Sequence, residues 1–171
     1  IKMIDKRKIV LVGTGFVGMS MAYSLVNQGG INELVLIDVL KDKAEGEAMD
    51  LSHGIPCAPS GMKIKAGDYD ECKDANIVVI TAGANQKPGE TRVDLIHKNS
   101  GIFKDIVDNV MASGFNGIFV VATNPLDVMT YLTYKYSGLP TSKVIGTGTS
   151  LDTARLQLMI GKNLSINPKN I

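Results

Sequence analysis

Apolar residues gather in four short runs at positions 9–12, 34–37, 77–80 and 118–121, all rich in Val and Ile. Each run gives way to Gly, Asp, Thr or Asn. Short β-branched runs of this kind are expected of parallel strands covered on both faces. The stretches between them follow a helical period. Val17, Met21 and Leu25 mark one helix, and Gly29-Gly30 its stop. Residues 43–51, rich in Ala, Glu and Met, read as a second. The clearest helix spans positions 91–112, where Leu95, Ile96, Asn99, Ile102, Phe103, Ile106, Val107 and Val110 share one face. A further helix is expected to begin near Ser150. This alternation predicts an α/β fold with a doubly wound, mostly parallel sheet.

The turn after the first run reads Gly13-Thr14-Gly15-Phe16-Val17-Gly18 and opens the first helix. Asp38 closes the second run, 20 residues past Gly18 (38 − 18 = 20). A strand, glycine turn, helix, strand and acid in this order form a dinucleotide site. Gly13 permits the tight turn, Gly15 lets backbone approach a pyrophosphate, and Gly18 allows close packing of helix on strand. The helix N-terminus offers free N–H groups and partial positive charge. The alternative is a glycine turn that merely packs. Asp38 can accept both ribose hydroxyls of NAD, whereas the 2′-phosphate of NADP would face a like charge. Val39 and Leu40 follow, with no arginine beside Asp38. The expected cofactor is NAD.

Composition narrows the partners. The chain has 171 residues, 44% hydrophobic and 20% charged, with net charge +1. That balance allows a core and gives no reason to expect nucleic acid or an anionic membrane. No apolar run approaches the roughly 18 residues of a membrane span. Lys2, Asp5, Lys6, Arg7 and Lys8 interrupt any signal-peptide core. Cys57 and Cys72 are too few for a disulfide framework and lack metal spacing. They read as reduced thiols of a cytoplasmic protein without a metal. A start at Ile1 and a stop at Ile171 soon after a helix-like segment suggest a piece of a longer protein.

Other residues carry candidate chemistry. Residues 82–90 form an irregular, glycine-bearing stretch beyond the third run, where a lid is expected. It leads to Arg92, whose guanidinium could polarise a carbonyl from the start of a helix, or simply lie on the surface. Asn99 is the one polar residue on its helical stripe. Its amide either bonds nearby backbone or meets a ligand. Asn124 precedes Pro125 just past the fourth run and is either a turn residue or a ligand contact. Asp152 and Arg155, three apart on a helix, are either a surface pair or an acid that orients a histidine beside a carboxylate clamp.

Together these segments resemble the lactate/malate dehydrogenase family, and within it the bacterial L-lactate dehydrogenases. The matching motifs are Gly13 to Gly18, Leu36-Ile37-Asp38, Ala48-Met49-Asp50-Leu51, Thr81-Ala82-Gly83-Ala84, the lid through Arg92, Thr123-Asn124-Pro125-Leu126-Asp127, and Gly146-Thr147-Gly148-Thr149 leading into Leu151-Asp152-Thr153-Ala154-Arg155. The resemblance implies a Rossmann domain over residues 1–145 and the start of a substrate domain over 146–171. It implies cofactor contacts from Gly13, Gly15, Phe16, Val17, Gly18, Asp38, Lys43, Tyr69, Thr81, Ala82, Gly83, Ala84, Asn99, Ala122, Thr123, Asn124 and Thr147. By residue type alone Lys43 and Tyr69 would be surface. The resemblance assigns Arg92 and Asp152 to catalysis, and Gln86, Arg92, Asn124 and Arg155 to substrate.

Gln86 separates two branches. Arg at this lid position in malate dehydrogenases pairs with a second carboxylate. A neutral Gln suits the methyl group of pyruvate, since an unpaired charge in a desolvated site costs several kcal/mol. The family's catalytic histidine lies in a Gly-Glu-His-Gly segment absent from these residues. His53 and His97 lack that context and are expected at the surface or an interface. Gln157 stands where family members activated by fructose 1,6-bisphosphate carry Arg, which argues against strong activation. The family forms dimers and tetramers, with the segment 48–53 near one interface. The implied activity is reversible reduction of pyruvate to L-lactate with NADH by the full-length enzyme, the present residues being inactive alone. A non-catalytic NAD-binding module and a malate dehydrogenase are the alternatives.

Overall fold

The computed structural model describes residues 7–84 and 89–171, with the backbone alone of Arg92. Six parallel strands form one sheet in the order β3-β2-β1-β4-β5-β6. They are β1 (Lys8–Val12), β2 (Glu33–Ile37), β3 (Lys63–Ala66), β4 (Ile77–Ile80), β5 (Ile118–Val121) and β6 (Val144–Gly146). Register runs unbroken across the centre, with Val10 opposite Val35 on one side and Val78 on the other. The helices are α1 (Phe16–Gln28), α2 (Lys41–His53), α3 (Arg92–Ala112), α4 (Leu126–Ser137) and α5 (Ser150–Leu164).

Strand alternation sends side chains into two apolar layers. Ile9, Leu11, Leu34 and Leu36 pack with Ala22 and Val26 of α1 and with Ala44, Ala48 and Leu51 of α2. Val10, Val12, Val35, Ile37, Val78 and Ile80 pack with Phe103, Ile106, Val107 and Val110 of α3 and Met129 of α4. The four expected strands are therefore the four buried on both faces. β3 and β6 are additional. They lie at the sheet edges, β3 alternating lysine with Ile and Ala, β6 only three residues long. Neither presents the continuous apolar run of a central strand.

Local signals account for the helix ends. At Gly29 φ is +69° and its N–H donates to the Leu25 carbonyl at 2.9 Å, which stops α1. Thr91 caps α3: its hydroxyl oxygen accepts from the Asp94 N–H at 3.2 Å, while the Thr91 N–H donates to the Asp94 carboxylate at 2.9 Å. This reciprocal pair is a capping box. Both His53 and His97 are exposed. α5 buries only Gly161, and Leu151, Leu156, Leu158 and Met159 stand open.

Candidate functional site

The sheet order reverses between β1 and β4, so the loops leaving these two strands diverge and leave a crevice at their carboxyl ends. A cleft of about 590 Å³ lies there. Gly13, Gly15, Asp38, Lys43, Tyr69, Thr81, Ala82, Gly83 and Ala84 all line it. Nine residues singled out by motif or resemblance, drawn from five segments, thus meet around one space.

Close backbone approach explains two of the glycines. Gly13 has φ +104°, and a Cβ there would lie 2.6 Å from the Ala82 nitrogen. A Cβ on Gly18 would overlap the Gly13 carbonyl oxygen and come within 2.8 Å of Thr81 Oγ1. Thr81 Oγ1 itself donates to that carbonyl at 2.9 Å. A Cβ on Gly15 would meet nothing within 4 Å, so that position faces open space. No side chain caps α1 at Gly15, and no acidic residue occupies its first turn. The first N–H groups of α1 are thereby free for an anion.

Asp38 is held before any ligand arrives. Its Oδ2 accepts from the Thr14 N–H at 2.7 Å and the Thr14 hydroxyl at 2.8 Å, and its Oδ1 accepts from the Leu40 N–H at 3.0 Å. Burial pushes the carboxyl up, but the bonds from Leu40 and Thr14 and the charge of Lys43 together hold it below the usual carboxylate range. A carboxylate has roughly four acceptor positions. Three are taken, leaving one on Oδ1, which narrows the expected grip on both ribose hydroxyls to one unshared position. Thr14, 1% exposed, was not among the expected site residues. Its identity between two glycines carries no periodic signal; only the turn brings it against Asp38.

Lys43 and Tyr69, surface residues by type, both line the cleft. Burial, then the charge of Asp105, pushes the Tyr69 hydroxyl up to about 12, so it remains a donor. Val39, Gly101, Ile102, Asp105 and Ile106 complete the wall and were not anticipated. Ile102 and Ile106 belong to the apolar stripe of α3, which read as core alone.

Asn99 bonds nearby backbone. It is fully buried; its Oδ1 accepts from the Ala84 N–H at 2.8 Å and its Nδ2 donates to the Asn124 carbonyl at 3.1 Å. It joins the loop after β4 to the loop after β5. Thr123 adds a second tie, its hydroxyl donating to the Ala82 carbonyl at 2.8 Å. Ala122 follows β5, and a cis peptide links exposed Asn124 to Pro125. The Thr147 N–H donates to the Val121 carbonyl at 3.0 Å. These residues, like Phe16 and Val17, sit at the same edge but outside the enclosed cleft.

Asp152 and Arg155 form an exposed pair, Nη1 to Oδ1 at 3.0 Å, with side chains 74% and 65% accessible. This is the geometry of the surface pair. The Gln157 amide donates to the Ile171 carbonyl at 3.1 Å. Gln86 and the Arg92 side chain lie outside the described residues.

Residues 7–146 match the family described as lactate/malate dehydrogenase, NAD binding domain. The chain is 59% identical over 164 residues to L-lactate dehydrogenase 2 of Bacillus cereus, covering 96% of this chain and 52% of that protein. It is 60% identical over the same span to an L-lactate dehydrogenase of a Geobacillus species, covering 51% of it. Among solved structures it is similar to a lactate dehydrogenase from a Medee basin deep-sea metagenome library, with TM-score 0.94, 59% identity and coverage of 98% and 53%. The minor L-lactate dehydrogenase of Enterococcus mundtii, in its ligands-bound form, gives TM-score 0.94, 56% identity and coverage of 97% and 53%. The chain spans about half the length of these relatives.

Proposed function

This chain belongs to the lactate/malate dehydrogenase family, as its NAD-binding domain, and on that premise we propose that it is the cofactor half of an L-lactate dehydrogenase reducing pyruvate. One observation carries the reading: a preset Asp38 and uncapped α1 within a chain 59% identical to such enzymes over 164 residues. When bound, NADH supplies the hydride. Gly13, Gly15, Phe16, Val17 and Gly18 would hold the pyrophosphate. Asp38, Lys43 and Tyr69 hold the adenosine end. Thr81 to Ala84, Ala122, Thr123, Asn124 and Thr147 would hold the nicotinamide end, with Asn99 joining their loops.

Residues 1–145 form the cofactor domain in this reading, and 146–171 begin the substrate domain. Arg155 exchanges its exposed bond with Asp152 for two parallel bonds to the substrate carboxylate. Asp152 then orients a histidine contributed by the rest of the enzyme. Arg92 polarises the carbonyl, Asn124 contacts the substrate, and Gln86 faces its methyl group. The full enzyme works in the cytoplasm as a homodimer or homotetramer, without strong activation by fructose 1,6-bisphosphate.

NADH oxidation by the full-length protein with pyruvate and with oxaloacetate tests the proposal. A kcat/KM favouring pyruvate by at least tenfold is expected, and Gln86→Arg moves the ratio towards oxaloacetate. Preference for oxaloacetate in the unmodified enzyme identifies a malate dehydrogenase. Binding of NADH without turnover of either acid identifies a binding module.

A further inference from the structure

A charge cluster lies beneath the first three strands. Lys8, 2% exposed, opens β1 and donates from Nζ to Glu71 at 2.8 Å and to Asp74. Glu71 is shared: its other oxygen accepts from Lys65 of β3 at 2.6 Å. Lys65 also lies 3.4 Å from Glu33, which opens β2. By register Lys8, Glu33 and Lys65 project to the face that carries Val10 and Val35.

A buried ion pair is weak grounds for stability, since apolar residues of similar size often serve as well. This one joins elements 63 residues apart and is better understood by what it holds. Glu71 belongs to a single 3₁₀ turn, Tyr69–Cys72. The backbone bonds of that turn are local: Glu71 N–H to Asp68, Lys73 N–H to Asp70 and Ala75 N–H to Cys72. Backbone bonds tie the flanking chain to the sheet, Gly67 N–H to Leu36 and Asn76 N–H to Lys8, so within the turn itself the side chains supply the contact with the sheet. Cys72 is buried in the α3 layer, and Glu71 reaches Lys8 and Lys65. Of the other two side chains, Tyr69 lines the cleft beside Asp38 and Val39, and Asp70 does not line it.

We propose that Glu71 is a positioning residue for the dinucleotide: by bridging Lys8 and Lys65 it fixes the turn that presents Tyr69 to the adenosine end of the cleft. This rests on the dehydrogenase reading above. The two lysines draw the Glu71 carboxyl below its usual range, so the bridge is ionised throughout the neutral region.

The test uses Glu71→Gln in the full-length enzyme. KM for NADH and Ki for AMP rise about tenfold, while kcat at saturating NADH and KM for pyruvate stay within about twofold. Turnover of reduced nicotinamide mononucleotide, which lacks adenosine, is unchanged. Added to Tyr69→Ala, the same substitution costs less than about twofold more. Lys65→Gln, which severs half the bridge from a more accessible position, moves KM in the same direction and stands in should Glu71→Gln fail to fold. A wild-type KM for NADH, equal losses with NADH and the mononucleotide, or an additive double variant each overturns the proposal. If the unmodified enzyme does not oxidise NADH with pyruvate, the dehydrogenase reading fails instead, and NADH and AMP titrations still decide the role of Glu71.

Discussion

Both donors of Thr14, its backbone N–H and its hydroxyl, converge on Oδ2 of Asp38 at 2.7 and 2.8 Å. The carboxylate is thus oriented by the glycine turn itself, so phosphate recognition and ribose recognition share one local structure.

Asp38→Ala is expected to weaken NAD binding and to shrink the preference for NAD over NADP by tenfold or more. Two unit charges about 4 Å apart repel by ~4 kcal/mol at an effective dielectric near 20, and screening leaves part of that. Because the Asp38 carboxyl is held below its usual range it stays ionised from about pH 5 to 9, so discrimination is full above about pH 7 and weakens below it only as the 2′-phosphate, with a second pKa of about 6, takes up a proton. Titrations with both cofactors across that range check it; an unchanged ratio in the variant refutes the assignment.

Two glycines of the same turn should respond oppositely to alanine. Gly18→Ala collides with the Gly13 carbonyl and Thr81 and costs about 1–3 kcal/mol of stability. Gly15→Ala meets nothing within the protein, so its melting temperature holds while NADH affinity falls. Thermal melts and fluorescence titrations of the pair separate packing from ligand approach.

Asn99→Ala removes the partner of the Ala84 N–H and of the Asn124 carbonyl, both in part-buried bonds. The expected loss is about 2–4 kcal/mol, read by chemical denaturation. A loss near zero would mean water replaces both bonds.

Stability should have an acid and an alkaline limit set by the Lys8 cluster. Burial lowers the Lys8 pKa, but its bonds to Asp74 and Glu71 outweigh this and raise it. Its contribution is complete below the unfolded value near 10.4 and is lost as pH rises through the higher folded value. Glu71, lowered by Lys65 and Lys8, contributes above about pH 4.3 and loses its share as pH falls through its folded value. Melting curves against pH should show the alkaline fall blunted in Lys8→Met.

Periodicity made the centre of this fold legible because β1, β2, β4 and β5 are covered on both faces and, past the charged Lys8 and Glu33 that open the first two, are apolar. The edges were hidden: Lys65 in β3 is explained by its pairs with Glu71 and Glu33, Lys63 is exposed, and α4 follows Pro125 without a distinct stripe start. At the site, glycines and Asp38 stood out because backbone geometry restricts those positions to few residue types. Thr14, Ile102 and Asp105 did not, since their role depends on which loop or helix face closes over the cleft.

Gly13, Gly18 and Thr81 compete for one small volume: the threonine hydroxyl bonds the carbonyl that a side chain at position 18 would displace. These three positions therefore constrain one another. A smaller residue at 81 would remove one contact but leave the overlap with the Gly13 carbonyl, so across related sequences position 18 should stay glycine whatever stands at 81.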